Sequence, residues 1–250
     1  MLKKPPAGWQ ALRLWGADAC RIERIAGGVA NDVWRVRVHG ALAVGRVGSR
    51  SEADLAWEAR LLQYLHQQGL AVPVPIPALD GRLFVGGLMI TTYMDGEPPS
   101  TEDDWRRVAD TLRQLHRVTQ GWPQRPGWRS SIDLLDSYAG TRIDLAVMPP
   151  EAVLRCRAAW QRVANRELRV VHGDPNPGNI RITGCQVALI DWDEAHLDVP
   201  EIDLGCLNRA ATGMDVAAQD VAAQAAAAWQ AAVCWKDDYA IRQLAEVRAT

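Results

Sequence analysis

Residues 170–182 read VVHGDPNPGNIRI, and residues 186–195 read QVALIDWDEA. A β-branched run delivers the chain to His172-Gly173-Asp174, and the following Pro175-Asn176-Pro177-Gly178 is too rich in proline and glycine to be helix, so it predicts a loop. Asn179 then leads into a strand, and the apolar run VALI carries the chain to Asp191, twelve residues past Asn179. Two acids and an amide thereby fall at loop and strand ends, where polar groups can converge on a ligand. Taken singly, Asp174 or Asn179 reads as a turn residue bonding to nearby backbone. The three together at this spacing read as a site.

Upstream, residues 20–94 read as strands around one helix. VWRVRV places Trp34, Val36 and Val38 on one face and Arg35 and Arg37 on the other, and His39-Gly40 supplies a turn into ALAVGRV, which predicts a hairpin. RLFV and LMITTYM, separated by Gly86-Gly87, predict a second one. Between them Ser51 is positioned to cap a helix running to about Gln68, ended by Gly69. After Asp95-Gly96-Glu97-Pro98-Pro99 the texture turns helical. Thr101 is a candidate cap, and Trp105, Val108, Ala109, Leu112, Leu115 and His116 form one stripe at helical spacing. Residues 121–131 predict a loop, a helix follows Pro149-Pro150, and at least two helices close the chain. The expectation is an α+β protein with a β-rich unit over residues 1–96, a mainly helical unit over 97–250, and a cleft at the join.

The chain has 250 residues, 48% hydrophobic and 23% charged, enough to bury a sizeable core, so intrinsic disorder is excluded. A formal charge of −2 lacks the basic excess of a nucleic-acid binder. The start, MLKKPPAGWQ, carries Pro5 and Pro6 where an export signal needs an apolar stretch, and no window reaches about 18 consecutive apolar residues, so the expectation is a cytoplasmic protein with no membrane partner. Cys20, Cys156, Cys185, Cys206 and Cys234 are far apart and odd in number, which predicts buried free thiols in a reducing compartment. The five histidines form no zinc-ligand spacing. Lysine occurs only at Lys3, Lys4 and Lys236, so a mechanism needing a central lysine must use another cation.

H-G-D-x-x-x-x-N followed by I-D-W-D resembles the catalytic loop and metal-binding motif of the aminoglycoside phosphotransferase and choline kinase family, a branch of the protein-kinase-like fold. The resemblance runs from about Gly27 to Gly205. It implies a two-lobed fold with a small antiparallel sheet and one helix in the first lobe and a larger helical second lobe. It also implies transfer of the γ-phosphate of ATP, with Mg²⁺, to a small-molecule hydroxyl. Asp174 would orient that hydroxyl and accept its proton, Asn179 and Asp191 would offer hard oxygens to Mg²⁺, and His172 and Asp203 would brace the loop. Gly27, Gly28 and Asn31 match the phosphate-covering turn, and Val44, Thr92, Tyr93 and Met94 fall at nucleotide-binding positions. Asp193 and Glu194, in an acidic stretch that includes Asp198 and Glu201, are candidates to receive a cationic acceptor.

The helix over residues 51–68 gives an independent test. Stepping about 100° per residue from Trp57, the residues Leu55, Leu61, Leu62 and Leu65 share an apolar arc with Glu58 in its middle. A carboxylate there is costly unless paired, so a buried cation must face it. Alternation puts Leu42, Val44 and Arg46 on one strand face, and Arg46 stands where the family usually has lysine. That departure keeps a nucleotide-binding pseudokinase open as an alternative. A protein kinase is disfavoured by HGD in place of HRD, and a metal hydrolase by the missing histidine ligands. His116 reads as a core histidine with a satisfied hydrogen bond, and Trp122 and Trp128 as cover for apolar surface. ATP versus GTP, the acceptor and the oligomeric state are left open by the sequence.

Overall fold

The structure is a computed structural model that describes residues 7–25, 31–139, 143–235 and 237–248. It divides into two compact units, Met1–Asp95 and Gly96–Thr250. Gly27 and Gly28, candidates for the phosphate-covering turn, lie outside the described residues.

The first unit opens with a 3₁₀ turn, Gly8–Trp15, and then builds a five-stranded antiparallel sheet and one helix. The elements are β1 (Cys20–Arg24), β2 (Asp32–Val38), β3 (Ala41–Val47), α1 (Glu52–Gln67), β4 (Phe84–Val85) and β5 (Leu88–Thr92), with strand order β1-β2-β3-β5-β4. Both expected hairpins form. His39 and Gly40 take φ values of 50° and 76°, and Gly86 and Gly87 take 57° and 84°, the left-handed pairs that match two-residue turns to strand twist. The two sheet faces follow from alternation. Val36, Val38, Ala43, Leu88 and Ile90 pack on the N-terminal turn through Ala11, Leu12 and Trp15, while Met89 packs on Leu55 and Ala59 of α1. Ser51 caps α1 by accepting the Asp54 N–H at 3.2 Å.

The second unit contains α2 (Glu102–Val118), α3 (Pro150–Gln161), β6 (Arg169–Val171), β7 (Ile180–Thr183), β8 (Gln186–Leu189), β9 (His196–Asp198), α4 (Glu201–Leu204), α5 (Arg209–Thr212), α6 (Val216–Val233) and α7 (Asp238–Glu246). β7 and β8 form a hairpin, and β6 pairs with β9. Thr101 caps α2 in a reciprocal box with Asp104. Asp104 accepts the Ser100 and Thr101 backbone N–H groups, which hold its carboxyl down to about 2. The core joins Val153, Cys156 and Trp160 of α3 to Val171, Ile202 and the alanine-lined face of α6. At the end of α4 a Cβ on Gly205 would overlap the Ala222 carbonyl, so the backbones approach to a distance only glycine allows.

The cysteines depart from expectation. Cys156 is buried, and burial pushes its thiol up to about 12, but Cys20, Cys185 and Cys206 are exposed and Cys234 is half-buried. The reason is local: Cys20 begins an exposed edge strand and Cys185 sits in the β7–β8 turn. No helix of the described residues is long and apolar enough to cross a membrane.

Candidate active site

In the second unit the loop between β6 and β7 folds back on itself. Asn179 Nδ2 donates to Asp174 Oδ2 at 2.9 Å and to the Asp174 carbonyl at 3.0 Å, and Asn176 Nδ2 donates to Asp174 Oδ2 at 2.8 Å. The amide nitrogen of Asn179 is thus committed to the loop, and its oxygen is the acceptor end of the same amide. Asp174 is half-buried and acceptor-only when ionised, the form that takes a proton from a hydroxyl.

Beneath the loop lies a buried brace. Asp203 accepts the His172 N–H (2.9 Å) and His116 Nε2–H (2.8 Å) on one oxygen and the Gly173 N–H (2.9 Å) on the other. Burial works to raise its carboxyl, but the hydrogen bond and charge of His116, the charge of His172 and the Gly173 N–H outweigh burial and hold it below the ordinary carboxylate value. His172 Nε2 donates to the Ile190 carbonyl at 2.9 Å, tying the loop to the end of β8. Gly173 has φ 86°, and a Cβ there would overlap the Glu194 carbonyl oxygen. The HGD sequence therefore has a steric reason: no arginine fits where protein kinases carry one.

Asp191 follows β8 with φ 59°, left-handed for a non-glycine residue. The peptides around it are fixed: the Ile190 N–H donates to the Asn179 carbonyl at 2.9 Å, and Trp192 Nε1 donates to the Leu189 carbonyl at 3.0 Å. Strain of this kind collects at ligand-holding positions.

In the first unit Glu58 is 1% exposed and is gripped by two guanidiniums, Arg46 from β3 and Arg50 from the turn before α1. The cation that the helix arc demanded is present, together with a second one that the sequence reading missed. Arg50 lies beyond β3, where strand alternation makes no statement about direction.

The family model described as "Phosphotransferase enzyme family" matches residues 21–244. The chain belongs to this family. Among curated relatives, a homoserine kinase of Sinorhizobium medicae is 28% identical over 208 residues, 74% of this chain and 61% of that protein. A homoserine kinase of Gluconobacter oxydans is 30% identical over 179 residues, 65% of this chain and 56% of that protein. This phosphotransferase-family chain thus spans about half to three fifths of the length of the curated relatives it matches. A solved choline kinase from Streptococcus pneumoniae has the same two-lobed fold, with TM-score 0.62, 13% identity and 92% of each chain covered.

Placed against the sequence expectations, Asp174, Asn179, His172 and Asp203 of this phosphotransferase-family chain come together in one bonded network, and Asp191 adjoins it through Ile190. Asp193 and Glu194 are half-buried in the turn that follows. Asp198 leaves the acidic stretch: it is fully buried and accepts Ser131 N–H (2.7 Å) and Ser131 Oγ–H (2.6 Å). Glu201 pairs with Arg166 at 3.0 Å. In the first unit Val44 shares the Arg46 face and Asn31 precedes β2, both half-buried. The Thr92 hydroxyl is occupied by the Val74 N–H at 2.9 Å, and the Tyr93 hydroxyl accepts from Arg35 at 3.3 Å. Met94 lies two residues past β5, its sulfur 3.9 Å from the Thr92 hydroxyl. Trp128 is buried and stacks on His196 at 5.0 Å, so it covers core as expected. Among the described residues no group of three His, Cys, Asp or Glu side chains is arranged to hold a metal ion by itself.

Proposed function

We propose that this chain transfers the γ-phosphate of ATP to a hydroxyl of a small molecule. The observation that carries the reading is the Asn179 amide fastening the Asp174 carboxylate, an acid and an oxygen ligand set side by side. In the reaction the acceptor oxygen bonds to the γ-phosphorus as its proton passes to Asp174, the bond to ADP breaks, and the products are ADP and a phosphomonoester. Positioning and charge neutralisation supply most of the catalysis in such a transfer.

Mg²⁺ fits the donor set, because it takes one or two protein oxygens and completes its shell with phosphates and water, which removes the need for a three-residue protein cluster. The Asn179 amide oxygen and the Asp191 carboxylate would hold it, and its charge would offset that of the phosphates. For the nucleotide, the residues of the first unit that the family resemblance nominates are Arg46, kept in place by Glu58, and Asn31 for the phosphates, and Val44, Thr92, Tyr93 and Met94 for the base; Gly27 and Gly28 lie outside the described residues.

For the acceptor, the names of the matched relatives make homoserine the first compound to try, and its ammonium suits Asp193 and Glu194; ethanolamine and aminoglycosides carry the same protonated amine, and choline a quaternary ammonium of the same charge. ADP release is to be measured with Mg-ATP and each acceptor in turn. Turnover with a hydroxylated acceptor above the acceptor-free rate is the expected result, and its absence across the series would sink the proposal. One observation favours a second reading, a nucleotide-binding pseudokinase: Arg46 where the family usually has lysine. Gain of turnover in Arg46→Lys from an inert wild type would establish that alternative.

A further inference from the structure

Arg125 lies in the loop between α2 and α3 with no motif to mark it, yet it is 1% exposed. A buried guanidinium is costly unless its N–H groups find acceptors. The two N–H groups of its Nη1 are shared among three backbone carbonyls, Trp192 at 2.9 Å, Asp193 at 3.1 Å and Ala195 at 2.8 Å. These belong to the turn immediately after Asp191, closed by the Ala195 N–H donating to the Trp192 carbonyl at 3.2 Å. One cationic nitrogen therefore gathers three carbonyls to a point and sets the curvature of that turn. On its other side Asp191 is anchored through Ile190, whose N–H and carbonyl bond Asn179 and His172. A left-handed aspartate held between two fastened peptides has little freedom to relax.

We propose that Arg125 is a positioning residue for the site: it holds Asp191 in its left-handed conformation and so presents that carboxylate to the nucleotide-bound divalent cation. The inference rests on the phosphotransferase reading above and adds a residue to it. The same loop supplies an internal comparison. Gln124 exchanges two hydrogen bonds with Leu197, donating to its carbonyl at 2.9 Å and accepting its N–H at 2.9 Å. It thus fastens the loop to β9, and its oxygen also accepts the Arg125 backbone N–H at 2.7 Å, but it does not touch the turn carbonyls that the Arg125 guanidinium gathers.

The test compares wild type, Arg125→Met, Arg125→Lys and Gln124→Ala by calorimetric titration with ATP, once with Mg²⁺ and once with EDTA, alongside hydrogen exchange of the 189–195 amides. In Arg125→Met the gain in ATP affinity on adding Mg²⁺ should shrink about tenfold or more, with metal-free affinity within about twofold of wild type and exchange raised in 189–195. Arg125→Lys, which keeps a buried cation with three donors, should recover part of the metal effect and covers the case in which the methionine variant fails to fold. Gln124→Ala, which removes the acceptor of the Arg125 backbone N–H but leaves the guanidinium contacts, should weaken the metal effect much less than Arg125→Met. Parallel loss of metal-free and metal-bound affinity in the Arg125 variants, or an equal effect from Gln124→Ala, would overturn the proposal. ATP binding in wild type that ignores Mg²⁺ would instead bring down the reading of the site itself, an outcome distinguishable because it needs no variant.

Discussion

The side-chain amide of Asn179 bonds both the carboxylate and the backbone carbonyl of Asp174, at 2.9 and 3.0 Å, so two residues five apart in sequence form one rigid unit. Replacing Asp174 by asparagine keeps the size and the loop but removes the proton acceptor. Phosphotransfer should fall by about 10² or more while ATP affinity stays near wild type. Steady-state ADP release set beside calorimetric binding checks both halves, and a fully active variant would refute the assignment.

Asp191→Ala removes the carboxylate proposed to link nucleotide and protein through the metal. ATP affinity should then become nearly independent of Mg²⁺, which a titration with and without the ion reads directly. Unchanged Mg-ATP binding contradicts the role.

The clamp on Glu58 predicts an asymmetry. Glu58→Ala removes the carboxylate that faces both Arg46 and Arg50 and should cost about 3–5 kcal/mol, as removal of one side of a buried ion pair does. Arg46→Ala leaves Glu58 with Arg50 and should cost markedly less. The Arg46–Glu58 double mutant should lose less than the sum of the singles, by a coupling on the order of 1–3 kcal/mol. Denaturant unfolding of the four proteins measures it, and strict additivity would mean the interaction contributes nothing.

Gly173→Ala should lower both stability and turnover. The left-handed backbone alone costs an alanine about 1–2 kcal/mol, and its Cβ has to displace the Glu194 carbonyl in the turn that follows Asp191. Thermal unfolding and ADP release should fall together, and a variant as stable and active as wild type is inconsistent with this packing.

Acid should destabilise the fold over a defined window. The Asp104 carboxyl titrates near 2 in the folded state against 3.8 unfolded, and Asp203 is also depressed. Between these values the unfolded chain binds more protons, so the stabilisation is fully present above about pH 5 and drains away as the pH drops through about 4 toward 2. Asp104→Asn should flatten that slope in chemical unfolding followed from pH 6 to pH 2. An unchanged slope would show that the cap does not titrate as described.

Legibility from sequence followed the kind of partner involved. Turn and cap chemistry is local, so His39-Gly40, Gly86-Gly87, Ser51 and Thr101 announced the hairpins and helix starts. Glu58 on an apolar arc demanded a cation, because a charge in a core has few other solutions. Arg125 was illegible for the opposite reason: its partners are main-chain carbonyls, identical at every position, brought to it by a turn 67 to 70 residues away. β9 is three residues long and carries no alternation to detect. Asp198 read as part of an acidic stretch because nothing near it in sequence revealed Ser131, which with His196 occupies its carboxylate in the core.

The buried face of α6 is rich in alanine around Trp229 and Gln224, with Ala222, Ala225, Ala228, Ala231 and Ala232 among its residues, and Gly205 meets it at backbone distance. At the alanine positions the packing sets a ceiling on residue size, and the floor is set only by the helix, where glycine costs about 0.5–1 kcal/mol. Trimming an alanine removes a single methyl, whereas enlarging one pushes on main chain that has nowhere to move, a fault worth about 1–3 kcal/mol. Drift at these alanine positions is therefore one-sided: they can exchange only among the smallest residues, while the bulk that α6 sends inward is carried by Trp229.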